Sequence, residues 1–127
     1  MSIDLTLAFP EKPADLDLVM KGRGFTIEKV VEPDQTFNVR MVTYKFFDAS
    51  ESVGGVWFMF HDGTYEDDAE RWAVVAPGVK VVATGSVSTY LGRGGSDDRR
   101  QAETAKFLRD HYDAILYDPQ KGQRVRD

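Results

Sequence analysis

The chain has no cysteine among its 127 residues. That excludes disulfide scaffolds, cysteine nucleophiles, Fe–S clusters and thiolate zinc sites. Histidine is nearly as scarce: the two present, His61 and His111, form no H-E-x-x-H pair and have no second histidine at ligand spacing. No apolar run approaches the roughly 20 residues that a membrane span needs. The start, "MSIDLTLAFPEK", lacks a basic lead and its apolar run breaks at Asp4 and Thr6, so it does not read as a signal peptide. The expectation is a soluble, cytoplasmic protein with no metal and no cofactor.

Motifs are missing too. There is no G-x-x-x-x-G-K-[ST], no G-x-G-x-x-G and no EF-hand pattern, and "GSVS" is not G-x-S-x-G. No Ser–His–Asp set can be assembled. His61 is followed by Asp62, but neighbours in a strand point to opposite faces, so the two side chains are not expected to cooperate. Structural roles are expected for both histidines, with His111 in a last helical turn, where a cation suits the dipole.

What is present is a globular composition. Hydrophobic residues make up 42% and aromatics 12%, enough for one domain with its own core. The formal net charge is −5 and is unevenly spread: residues 1–70 hold 14 acids against 6 bases, residues 71–127 hold 7 against 10. An acidic first half is a poor surface for nucleic-acid phosphates. It suits a basic protein partner, since complementary fields steer association.

Periodicity gives the elements. "SIDLTLAF" alternates as a half-buried strand. Leu16, Val19 and Met20 lie on one face of a short helix that Gly22 and Gly24 stop. "FTIEKVVE", "TFNVRMVTYKFF" and "VGGVWFMFHDG" read as three strands joined by turns. The alternation shifts near Met41, which suggests a bulge or burial on both faces. Gly54 and Gly55 suggest a bulge or a close backbone approach, and Gly85 in "VKVVATGSVSTY" a further bulge. Thr64 opens a candidate helix with Ala69, Trp72 and Ala73 inward. The helix Asp97–Tyr112 presents Ala102, Ala105, Leu108 and Tyr112. "AILYD" is a last strand, and the polar tail from about Pro119 is expected to fray. The predicted fold is a single α+β domain, residues 1–127, with a mostly antiparallel sheet and two or three helices packed on one face.

Two stretches are candidate sites. In "GRGGSDDRR", Arg93, Arg99 and Arg100 surround a glycine loop, residues 92–96, that could cradle an anion or nucleotide. Against that, Ser96 reads as an N-cap and Asp97 and Asp98 as the acidic first turn, so the chain supplies its own anions. In "YEDDAERW", Tyr65 and Trp72 flank Glu66, Asp67 and Asp68. Aromatics ringed by acids make a protein-binding patch, since Trp and Tyr anchor interfaces. A core role for Trp72 is the competing reading.

The last third, "LGRGGSDDRRQAETAKFLRDHYDAILYDPQKG", is similar to the closing unit of small bacterial α+β proteins, some of which resemble immunity proteins that neutralise a cognate toxin. The resemblance spans Leu91 to Gly122 and rests on Tyr117, Asp118, Pro119 and Gln120. It carries no catalytic residues. It implies a non-enzymatic protein-binding domain. The acidic charge and the aromatic patch add the expected partner, a basic toxin domain, and the expected contact residues: Tyr65, Glu66, Asp67, Asp68 and Trp72 first, and Arg93, Asp97 and Asp98 second. The alternative is a small anion- or nucleotide-binding protein or enzyme using the loop 92–96 and its arginines. A homodimer through an open sheet edge is a further arrangement the strands allow.

Overall fold

The computed structural model describes residues 2–36, 38–46, 55–64, 66–90 and 95–127. The elements run β1 (Ser2–Phe9), α1 (Leu16–Gly22), β2 (Thr26–Val31), β3 (Met41–Phe46), β4 (Val56–His61), α2 (Glu66–Val75), β5 (Ala83–Tyr90), α3 (Gly95–Tyr112), β6 (Ile115–Asp118) and β7 (Gln123–Arg124). The strands form one antiparallel sheet in the order β2-β3-β4-β5-β1-β6-β7. Its centre, β4-β5-β1-β6, has the strand order of a split β-α-β sheet, with α3 joining β5 to β6. β2 and β3 extend it on one side and β7 on the other. The α+β fold expected from the sequence is present.

Side-chain alternation divides the sheet into two unlike faces. One face carries Leu7 and Phe9 of β1, Val42 and Tyr44 of β3, Val56, Phe58 and Phe60 of β4, Val87 of β5 and Leu116 of β6, all in the main core. Leu16 and Met20 of α1 and Ala105 and Leu108 of α3 close over it. Phe9 meets Phe60 edge-on at 5.7 Å, and Phe58 stacks on Tyr44 at 6.0 Å. Burying such aromatics dominates core energetics. Leu→Ala or Phe→Ala here would cost about 2–5 kcal/mol.

The helices do not all lie on that face. Trp72 and Ala76 pack with Ala8 and Ile115 on the opposite side, so α2 covers the other face. The reason is parity: Ala8 and Ile115 alternate with Leu7 and Leu116, and a small residue at Ala8 leaves room for an indole.

α1 ends as its glycines suggest. The Phe25 N–H bonds the Met20 carbonyl and the Gly24 N–H bonds the Lys21 carbonyl, each at 3.0 Å, a Schellman motif with Gly24 at φ +88. Asp15, which precedes the helix, makes no side-chain cap. Its carboxylate instead accepts from the Tyr112 hydroxyl at 2.9 Å, and Asp17 accepts from the Tyr44 hydroxyl. The two bonds tie α1 to α3 and to β3.

Several local expectations change. β3 pairs in regular register with both neighbours, and the bulge lies in β2, between Ile27 and Lys29. Val39 precedes β3 and is buried near Gly63, outside the strand, which accounts for the shift in alternation near Met41. Phe37 and Gly54 lie outside the described residues. Gly85 keeps regular register as well; a Cβ there would sit 2.6 Å from a ring carbon of Phe58, so the glycine makes room for an aromatic and not for a bulge. Gly55 is the close approach: φ is +131, and a Cβ would lie 2.8 Å from the Phe46 carbonyl oxygen. The tail does not simply fray. β7 pairs with β6, the Val125 N–H bonds the Leu116 carbonyl at 2.8 Å, and the Arg109 guanidinium donates to the carbonyls of Val125 and Asp127. The turn at Asp118, whose carboxylate accepts from the Gln120 N–H at 3.0 Å, returns the chain for this pairing.

Candidate functional site: the partly uncovered sheet face

Among the described residues, α2 is the helix packed on the second face of the sheet, and it sits at the β1–β6 end. The rest of that face is set by strand parity. Across β5, β4 and β3 it carries Ser86 and Ser88, then Trp57, Met59 and His61, then Met41, Thr43 and Lys45. Trp57, Met59 and Met41 are all half-buried. The Trp57 indole N–H donates to the Glu28 carboxylate at 3.3 Å, and the Lys45 ammonium lies 5.0 Å from the indole ring and 3.7 Å from Glu28. These contacts favour the orientation in which the indole N–H faces Glu28. Ser88 donates to the Asp4 carboxylate at 2.5 Å, bordering the apolar patch with a polar rim.

Where α2 meets the sheet there is a cleft of about 210 Å³. Its floor is Thr6, Thr84 and Ser86, its roof Asp68, Arg71 and the edge of Trp72, and His61 stands at its side. Thr6 donates its hydroxyl proton to the Tyr117 carbonyl at 3.2 Å. Burial pushes the His61 imidazole below its ordinary value, and the Asp68 carboxylate partly counters that. The imidazole is therefore neutral at physiological pH. Asp62 points elsewhere and pairs with Lys12 at 3.1 Å, as strand parity requires. The groups across the cleft from His61 come from α2, eleven residues and less along the chain, a relation that no spacing rule in the sequence reveals.

The expected site residues separate. Trp72 is 3% exposed and belongs to the core under α2, which corrects its placement in a binding patch; its ring meets Tyr117 edge-on at 6.3 Å. Asp68 lines the cleft. Glu66 and Asp67 fall in the first turn of α2, with side chains outside the description, and Tyr65 and Arg93 lie outside the described residues altogether. Asp97 is 1% exposed and accepts from the Gly55 N–H at 3.3 Å, so it faces the core and not a partner. Asp98 is exposed on the first turn of α3. Most of the glycine loop 92–96 lies outside the described residues; α3 already begins at Gly95, so Ser96 lies inside the helix and not at its N-cap, while Asp97 and Asp98 stand in the first turn, where the helix dipole favours carboxylates. Arg100 lies over the Phe46 ring at 3.9 Å and so packs against the protein.

His111 stacks on Phe107 at 5.2 Å in the last turn of α3. No group of three or more metal-ligating side chains occurs among the described residues, nor does a helix long and apolar enough to cross a membrane. Comparison with family models, with curated proteins and with solved structures finds no match. The class is therefore defined by topology alone, and topology does not fix function.

Proposed function

We propose that the chain is a protein-binding domain whose contact surface is the part of the second sheet face that no described helix covers, centred on Trp57. In its most concrete form this is an immunity-type protein that occludes the active surface of a basic toxin domain. The observation that carries the reading is the Trp57 indole, half-buried on a face with Met41 and Met59 and clamped by Glu28 and Lys45. Tryptophan is the commonest interface anchor, and a fixed rotamer lowers the ordering cost on binding. Methionines adapt to a partner's shape, and a net charge of −5 favours a basic one. The test is co-expression and purified binding with the product of the neighbouring gene. Trp57→Ala should weaken the complex by about 2 kcal/mol or more. Absence of both binding and protection from toxicity defeats the proposal.

A second reading rests on the cleft under α2. Asp68 and Arg71 bring opposite charges, His61 is neutral, and three hydroxyls line the floor. Such a lining matches a small neutral or zwitterionic polar molecule better than a phosphate dianion, which Asp68 would repel. Thermal shift against α-amino acids, monosaccharides and inorganic phosphate separates these classes, because a ligand of the native state raises the midpoint. Stabilisation that survives Asp68→Asn and His61→Gln would rule the cleft out.

A further inference from the structure

β2 is one edge of the sheet, and among the described residues it is bonded on one side only. Five of its six residues are exposed. Two are large and apolar, Ile27 at 44% and Val30 at 41% exposed. In a regular strand residues three apart point to opposite faces. Here the bulge between Ile27 and Lys29 restores parity: Ile27 pairs with Tyr44 and Val30 with Val42, so both stand on the core face. Thr26, Lys29 and Val31 pair with Lys45, Thr43 and Met41 on the other face, and Glu28 reaches Lys45 and Trp57 there.

We infer that β2 is a homodimerisation edge, pairing antiparallel with β2 of a second copy about a two-fold axis between Glu28 and Lys29. The register follows from the sequence "TIEKVV". An isologous antiparallel pair centred there sets Thr26 against Val31, Ile27 against Val30 and Glu28 against Lys29 of the second copy, and by symmetry the reverse. Every pair is complementary. The apolar residues meet on the core face and the opposite charges on the other, the cross-strand pairs that stabilise antiparallel sheets. A shift of one residue in either direction breaks both matches, placing an apolar side chain against a charged one. Lysines and bulges ordinarily blunt an edge against foreign strands. Lys29 does so here too, yet in this register it meets Glu28, so the edge selects its own copy. The opposite edge, β7, is a two-residue strand and offers no comparable length.

A six-residue edge pair lies at the small end of specific interfaces, so the dimer is expected to be weak, with a Kd of roughly micromolar order. The edge shares Glu28 with the clamp on Trp57, but sedimentation reads the β2 pairing and partner binding reads the Trp57 face, so failure of the dimer would leave that reading standing. The experiment is sedimentation velocity from about 1 to about 200 µM, with circular dichroism on every variant to confirm the fold. The wild type should show concentration-dependent dimer. Val30→Lys, which puts a charge into the apolar pair, should leave it monomeric. Lys29→Glu and Glu28→Lys should each weaken dimerisation by at least about fivefold, because each sets like charges opposite one another. A mixture of the two variants should form a heterodimer, and the double variant E28K/K29E should recover the wild-type association. A wild type monomeric at the highest concentration overturns the inference. So does a dimer that Val30→Lys leaves intact, or one for which the charge-variant mixture shows no rescue.

Discussion

The carboxylate of Asp97, in the first turn of α3, accepts a hydrogen bond from the backbone N–H of Gly55 at 3.3 Å, in the interior of the protein. Around it, the Thr89 hydroxyl donates to the Gly55 carbonyl at 3.0 Å and the Gln101 amide to the Val87 carbonyl at 2.8 Å. Polar side chains thus satisfy backbone groups at a place where Gly55 departs from strand geometry. Asp97→Ala should cost about 1–3 kcal/mol by leaving that N–H unpaired in the core, and Asp97→Asn should cost less because it keeps an acceptor. Chemical denaturation of both variants measures the difference; equal losses would mean the bond contributes nothing.

Gly85 is expected to be sensitive despite its regular register. A methyl group there enters the Phe58 ring and approaches the Met59 carbonyl at 3.1 Å. Gly85→Ala should destabilise by about 1–3 kcal/mol, as overpacking does. A double variant with Phe58→Leu should regain part of that loss relative to Phe58→Leu alone, which a thermal melt can read.

His61 gives an acid-side dependence. Burial holds its imidazole below the ordinary 6.5, against the opposing field of Asp68. The unfolded chain takes up the proton first as pH falls, so stability is full above that value and declines below it, down to the folded-state pKa. His61→Gln should flatten the melting temperature between about pH 7 and about pH 5 relative to the wild type. An unchanged slope would show that the imidazole is not desolvated.

Tyr44 and Tyr112 give the alkaline side. Burial first, and then hydrogen bonds to the carboxylates of Asp17 and Asp15, push both phenols above their ordinary 10.0. Their stabilisation is complete below that value and is lost as pH rises past it, because the unfolded chain ionises first. Tyr44→Phe should lose about 1–3 kcal/mol at neutral pH with the charge-assisted bond and should unfold less steeply above pH 10. Ultraviolet titration of the phenols tests the shift directly.

The sequence is legible where one physical signal dominates. Alternation in "SIDLTLAF" and the glycines after Met20 predict β1 and the end of α1, because burial on one face and a left-handed residue each leave a local mark. Trp72 shows the limit. Its acidic neighbours suggest a surface, but the small Ala8 across the sheet, far away in sequence, makes room for the indole. Asp97 and Gln101 are charged or polar and yet buried, since their partners Gly55 and Val87 are brought near only by the fold. In the sequence, Trp57 is simply one residue of the strand "VGGVWFMFHDG". Which face it occupies depends on the registers of β3 and β5 and on α2 covering a different part of the sheet. The bulge in β2 leaves no local signature, as "TIEKVV" contains no glycine or proline.

The most direct measurement is an NMR titration of the isotope-labelled protein with the product of the neighbouring gene, following the Trp57 indole N–H and the methyl groups of Met41 and Met59. Shifts are expected on these groups and on Ser88, with those of the α1–α3 face unmoved, and they should be lost in Trp57→Ala. A complex that leaves the Trp57 indole unperturbed, or that shifts α1 and α3 instead, would rule out binding through this face.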